Sequence, residues 1–92
     1  MANVIVTFTI MPESPDINLD HLAQKAKEKI SAHAGEGDMR VTQEPLAFGL
    51  KKLLITFVAD EAKGSTEALE NQIADLDGVA SCECTDVRRA IG

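Results

Sequence analysis

The sequence contains no tryptophan and no tyrosine, and its only aromatic residues are three phenylalanines. A core in this chain must therefore rest on Val, Ile, Leu and Ala. Nine Lys and Arg stand against fifteen Asp and Glu, which gives a formal net charge of −6. Nucleic-acid binding needs a basic surface, often with stacking aromatic side chains. The composition argues against a direct nucleic-acid partner and favours a basic surface on a protein partner.

Cysteine and long apolar segments are equally scarce. The two cysteines, Cys82 and Cys84, are too few for a disulfide framework, and their spacing suits a bridge within one strand poorly. No apolar run approaches the roughly 20 residues of a membrane-spanning helix, and the N-terminus has no basic signal segment. These absences predict a reducing, cytoplasmic location and no membrane partner.

The length of 92 residues fits one domain, 1–92, with a thin two-layer core. Hydrophobic residues make up 45% of the chain and charged residues 26%, which is the balance of a globular protein and excludes disorder.

Hydrophobic periodicity divides the chain into six elements. Alternating apolar residues predict four strands, over residues 4–10, 39–44, 50–59 and 79–87. Apolar residues at helical spacing predict two helices, over residues 18–33 and 65–77. In the order β-α-β-β-α-β, right-handed crossovers place both helices on one face of a four-stranded antiparallel sheet. The sequence therefore predicts an α+β, ferredoxin-like two-layer sandwich, with the first and third strands at its centre.

The cysteine pair has two interpretations. Two thiolates on one strand could hold a soft metal, but they are too few for a closed zinc site. We expect instead that Cys82 and Cys84 share a face with Ala80 and pack against the helices as small apolar side chains. His21 and His33 lie three helical turns apart and form no ligand frame. We predict no catalytic residues, no cofactor and no metal site.

Residues 44–53, with the sequence Glu-Pro-Leu-Ala-Phe-Gly-Leu-Lys-Lys-Leu, are the strongest candidate for a functional segment. They predict a hairpin with Phe48 near its tip and two lysines after it. An exposed apolar anchor ringed by charge is typical of protein contacts. The alternative is that Phe48 folds back over the sheet edge. Arg88 and Arg89 form a second local basic group, for which the alternative is a solvated tail after the last strand.

These segments resemble the translation elongation factor 1-beta family in its small archaeal form. The resemblance covers nearly the whole chain and rests on residues 4–16, 44–53 and 85–89. It implies a ferredoxin-like guanine-nucleotide exchange factor. The implied partner is elongation factor 1-alpha, the GTPase that carries aminoacyl-tRNA, contacted near its magnesium and at a second domain. The partner-binding residues that the resemblance implies are Phe48, Gly49, Lys51, Lys52, Asp86, Arg88 and Arg89.

The C-terminus departs from the family pattern. The eukaryotic domain ends with a lysine, next to last in the chain, that intrudes on the magnesium site, and the matching place here falls near Gly92. Because the tail contains no lysine, we predict that Arg88 or Arg89 acts in its place. Two other function classes stay open: a ferredoxin-like regulatory module that binds a small ligand or a metal, and a structural interaction subunit. We expect a monomer.

Overall fold

The computed structural model describes residues 3–34, 39–60 and 66–89. In these segments the elements are β1 (Asn3–Pro12), α1 (Leu19–Ala34), β2 (Met39–Pro45), β3 (Lys51–Asp60), α2 (Glu67–Ala74) and β4 (Val79–Arg89). A 3₁₀ turn, Ala47–Gly49, joins β2 to β3. The strands form one antiparallel sheet in the order β2-β3-β1-β4. The predicted sandwich, with the first and third strands central, is confirmed.

One face of the sheet carries the core. Alternate side chains of β1 and β3 are buried there under both helices: Val6, Phe8, Ile10, Leu53, Ile55, Phe57 and Ala59. The helices bury Leu22, Ala23, Ala26, Ile30, Leu69 and Ile73 against them. The rings of Phe8 and Phe57 meet edge to face, with centroids 5.1 Å apart. Burial of each large apolar side chain contributes about 1.5–3 kcal/mol, so this layer supplies most of the stability.

The helices follow the predicted pattern, but the second is shorter than predicted at both ends and begins at Glu67 instead of at residue 65. The Asn18 side chain accepts a hydrogen bond of 3.1 Å from the backbone N–H of His21 and so caps α1. The predicted end of the second helix at residue 77 is wrong, because α2 ends at Ala74. Beyond it, the N–H of Leu76 donates a 3.0 Å hydrogen bond to the carbonyl of Ile73, three residues back, and this tighter 3₁₀-type turn ends the helix. Neither described helix is long and apolar enough to cross a membrane.

The last strand departs from simple alternation because two bulges interrupt it. The register with β1 shifts at two points, so that residues 80 and 85 of β4 have no partner opposite them. The first bulge turns Ala80 to solvent while Cys82 is buried. The prediction that Ala80 shares the face of the cysteines is therefore wrong. The expectation that Arg88 and Arg89 follow the final strand is also wrong. They are the last two residues of β4, and both pair with β1.

The turn from α2 to β4 depends on a glycine. Gly78 has a φ of +90°, and a Cβ added there would approach Ile17 Cδ1 to 3.2 Å. We expect Gly78→Ala to lower the free energy of unfolding by about 1–3 kcal/mol, measured by chemical denaturation, because the left-handed conformation and the contact both disfavour a side chain.

Gly49→Ala is the matched control for this substitution. Gly49 also has a positive φ, +77°, but a Cβ there would meet nothing within 4 Å. It should therefore destabilise less than Gly78→Ala. Equal losses for the two variants would show that Ile17 moves aside without cost.

Candidate functional site

The hairpin tip, residues 46–50, displays Phe48 to solvent. The N–H of Leu46 bonds to the carbonyl of Leu50 at 2.6 Å, which closes the tip. Phe48 has φ 63° and ψ 29°, a left-handed conformation that a bulky side chain rarely adopts. Its side chain is 94% exposed, so the alternative that it folds back over the sheet is wrong. Backbone strain at an exposed aromatic residue is characteristic of functional sites.

The two lysines after the tip point to opposite sides of the sheet. Even-numbered residues of β3 lie on the side that the helices leave uncovered, here called the open face. Lys52 lies there, and its Nζ is 3.2 Å from Oε2 of Glu44, the residue opposite it on β2. Lys51 lies on the helix side. Sequence reasoning did not single out Glu44, although the short hairpin loop already sets it opposite Lys52.

A cleft of about 320 Å³ separates the hairpin from the start of α1. Its lining includes Pro15, Asp20, Gln43, Gly49 and Lys51, and Gln43 Nε2 donates a 3.3 Å hydrogen bond to Asp20 Oδ1 across it. Small-molecule sites usually hold a few convergent polar groups in an apolar cavity. No polar side chain is buried in the described part of the chain. The cleft therefore gives the small-ligand alternative no support.

The second group of predicted residues lies on β4. Arg88 Nε is 2.9 Å from Asp86 Oδ2, and the two side chains are 76% and 44% exposed. Such an exposed pair contributes little stability, but it directs the guanidinium of Arg88 over the open face. Arg88 pairs with Ile5 and Arg89 with Val4, so the two arginines point to opposite faces.

The fold does not bring the two groups together. Arg88 lies opposite Ile5, near the start of β1. Leu53 lies opposite Ile10, so Lys52, the residue before Leu53, is level with the position after Ile10, six residues from Ile5 along β1. At about 3.3 Å per residue, six residues separate them by roughly 20 Å along the strands. The hairpin occupies one edge of the sheet and β4 the other. Phe48 with Lys52 and Asp86 with Arg88 thus mark diagonally opposite corners of the sandwich.

The cysteines are placed for packing. Cys82 is buried and Cys84 is half-buried, and both are free thiols. Desolvation, followed by the charge of Glu70, raises the pKa of Cys82 to about 12. The same two causes raise the pKa of Cys84. Thiolate is the form that binds metal, and within the described segments no three metal-binding side chains come together.

An exposed aromatic residue with a left-handed backbone, at the hairpin tip of a two-layer domain, is typical of a protein contact. The sequence pattern of the family described as the EF-1 guanine nucleotide exchange domain matches residues 5–90. The chain belongs to this family, and its function is that of a translation elongation factor in nucleotide exchange.

Curated relatives agree with this assignment, and a solved structure shares the fold. Elongation factor 1-beta of Methanothermobacter thermautotrophicus is 40% identical over 89 residues, spanning 97% of this chain and 98% of that protein. Elongation factor 1-beta of Methanosphaera stadtmanae is 43% identical with the same coverage. The structure of BlrP1 BLUF superposes with a TM-score of 0.57 and 11% identity over 100% of this chain and 57% of that one, which shows the shared fold alone.

The raised pKa values of the thiols predict slow reaction. At pH 8 the native protein should label at Cys82 and Cys84 at least tenfold more slowly than the denatured chain, because burial disfavours the reactive thiolate. The denatured protein, in which both thiols are exposed, is the control. Rapid native labelling, or stoichiometric zinc by elemental analysis, would contradict the packing role.

Proposed function

We propose that the chain, as a single domain over residues 1–92, promotes exchange of GDP for GTP on elongation factor 1-alpha. The observation that carries this proposal is Phe48, an aromatic side chain held almost fully in solvent by a left-handed backbone. Exposure of an isolated apolar side chain to water is unfavourable, and the free energy becomes favourable only when a partner covers the side chain. The match to the EF-1 guanine nucleotide exchange domain and the relatives named elongation factor 1-beta support elongation factor 1-alpha as that partner.

Phe48, at the hairpin tip, acts as the anchor. Closure of the tip by the backbone pair between Leu46 and Leu50 restricts the position of Phe48 before the partner arrives. Little conformational entropy is then lost when the ring enters a partner pocket. Gly49, which follows Phe48 with φ +77°, permits the chain to return into β3. Lys51 and Lys52 flank the anchor on the two sides of the sheet.

Exchange follows from thermodynamic coupling. A GTPase holds GDP through its phosphate-loop amides and Mg²⁺. A protein that binds the nucleotide-free state more tightly than the GDP state lowers the affinity for GDP by the same factor. No covalent bond of the nucleotide is made or broken. The chain therefore acts as an exchange factor and not through chemical catalysis.

The opposite corner supplies the contact near the magnesium. Arg88 and Asp86 lie there as an exposed ion pair, and Arg89 ends the same strand. The planar guanidinium suits a carboxylate or a backbone carbonyl better than a narrow metal site. We infer that the arginines hold the GTPase beside its magnesium site and weaken metal binding by their charge. As a partner of a translation factor, the chain works in the cytoplasm, as a monomer.

Removal of the anchor should separate binding from stability. Phe48→Ala should weaken binding to the GTPase by about 1–3 kcal/mol, measured by titration calorimetry, as is usual for a truncated interface anchor. Phe48→Gly should bind as weakly and yet be more stable than the unmodified chain by up to about 1 kcal/mol, because glycine adopts the left-handed conformation freely.

The control for the anchor is Val41→Ala, which shortens another exposed apolar side chain, on β2. It should leave binding unchanged. Normal binding by both Phe48 variants would contradict the anchor role.

Charge reversal should expose the role of the arginines. Replacement of Arg88 and Arg89 together by Glu should slow stimulated release of fluorescent GDP and reduce the salt dependence of association, because the local positive charge that meets the partner is inverted. Both side chains are exposed, so the fold should survive.

Lys27→Glu with Lys29→Glu changes the net charge by the same amount on the exposed side of α1. Equal slowing by both double variants would show that only net charge matters and would sink the proposed contact.

A further inference from the structure

The open face has the composition of an interface. Its centre is uncharged and partly exposed, with Thr7, Thr9, Leu54, Thr56 and Val58 along the two central strands. Val58 is 43% exposed. Charged residues lie around this centre: Arg40, Glu44, Lys52, Glu83, Asp86 and Arg88. An uncharged centre surrounded by a charged rim is the usual anatomy of a protein-protein interface.

The hydroxyl groups at this centre satisfy one another. Thr7 Oγ1 lies 3.1 Å from Thr56 Oγ1, and Thr9 Oγ1 lies 2.9 Å from Thr85 Oγ1. Thr85 is the residue that the second bulge inserts into β4. A hydroxyl that keeps a partner can lose its water at little cost, whereas an unpaired one is expensive to bury. Each of these hydroxyl groups therefore keeps at least one hydrogen-bond partner when the open face is covered.

Each of the two corners contributes residues to the open face. Lys52 lies at its hairpin end, and Arg88, with Asp86, lies at the other, roughly 20 Å away. A rigid partner that touches both corners has to cross the molecule. The helices form a layer about 10 Å thick on the other side, with the charged Lys27 and Glu28 outward. The open face offers the direct path.

We propose that the open face is the surface that the partner GTPase covers, between the Phe48 anchor and the Arg88 corner. This inference rests on the proposed exchange function and adds a third, central contact to it. Binding then buries Val58 and the threonines and leaves the helices in solvent. The two corners are the ends of one continuous interface.

Opposite charges at one position test this directly. Val58→Glu and Val58→Lys should each weaken binding of the nucleotide-free GTPase at least about tenfold and slow GDP release, because either charge would be desolvated without a partner. If long-range electrostatics alone were responsible, one of these two substitutions would strengthen binding of the GTPase and the other would weaken it. Gln24→Glu and Gln24→Lys, on the exposed side of α1, are the matched controls and should behave as the unmodified chain.

A cysteine substitution tests the same contact without adding a charge. Val58→Cys should react readily with a maleimide in the free chain and at least about tenfold more slowly in the GTPase complex, since the native thiols are buried or half-buried. Gln24→Cys should label equally in both states. Equal labelling of Val58→Cys in both states overturns the inference.

The remaining outcomes are also decisive. If the Val58 variants bind normally while Phe48→Ala binds weakly, the open face is not the contact, although the exchange function stands. If the unmodified chain fails to speed GDP release, the exchange function and this inference fall together. If light scattering shows a dimer that Val58→Glu dissociates without slowing exchange, the face belongs to a second copy and the inference is overturned.

Discussion

Antiparallel pairing of β1 with β3, with one side of both strands buried under the helices, is the constraint on which the rest of the structure depends. Side chains alternate along a strand, so a slip of either strand by one residue would turn its phenylalanine, Phe8 or Phe57, to solvent. The cost of that exposure fixes the register. The register then fixes the position of the hairpin at one end of β3, the pairing of β4 along β1, and the separation of the two candidate contacts.

The same constraint explains how far sequence reasoning reaches. The strands and helices were predictable because their apolar residues alternate or recur with the period of each element, as in Val6, Phe8 and Ile10. The exposure of Phe48 was predictable from the glycine and the lysines beside it. The corner positions of the two candidate contacts were not predictable, because they depend on which strands pair and in which register, and no local sequence pattern indicates this.

The last strand shows the limit most clearly. Simple alternation places Ala80 with Cys82, but a bulge requires only one extra residue and leaves no mark in composition. The end of β4 was missed for a related reason. Arg88 and Arg89 are strand residues because Ile5 and Val4 offer them backbone partners, and charged side chains give no hint of this. Long-range pairing overrides the local preference of these residues.

The two bulges of β4 also bear on how the free protein behaves at high concentration. An edge strand with a regular row of unpaired backbone groups is a template for joining another sheet, and the result is aggregation. In β4 the bulges at residues 80 and 85 interrupt that row and increase the local twist. At the other edge, β2 ends in Pro45, which has no N–H to donate. Both edges are thereby poor templates for intermolecular strand addition, so the sheet can expose the uncharged centre of its open face with little tendency to join another sheet.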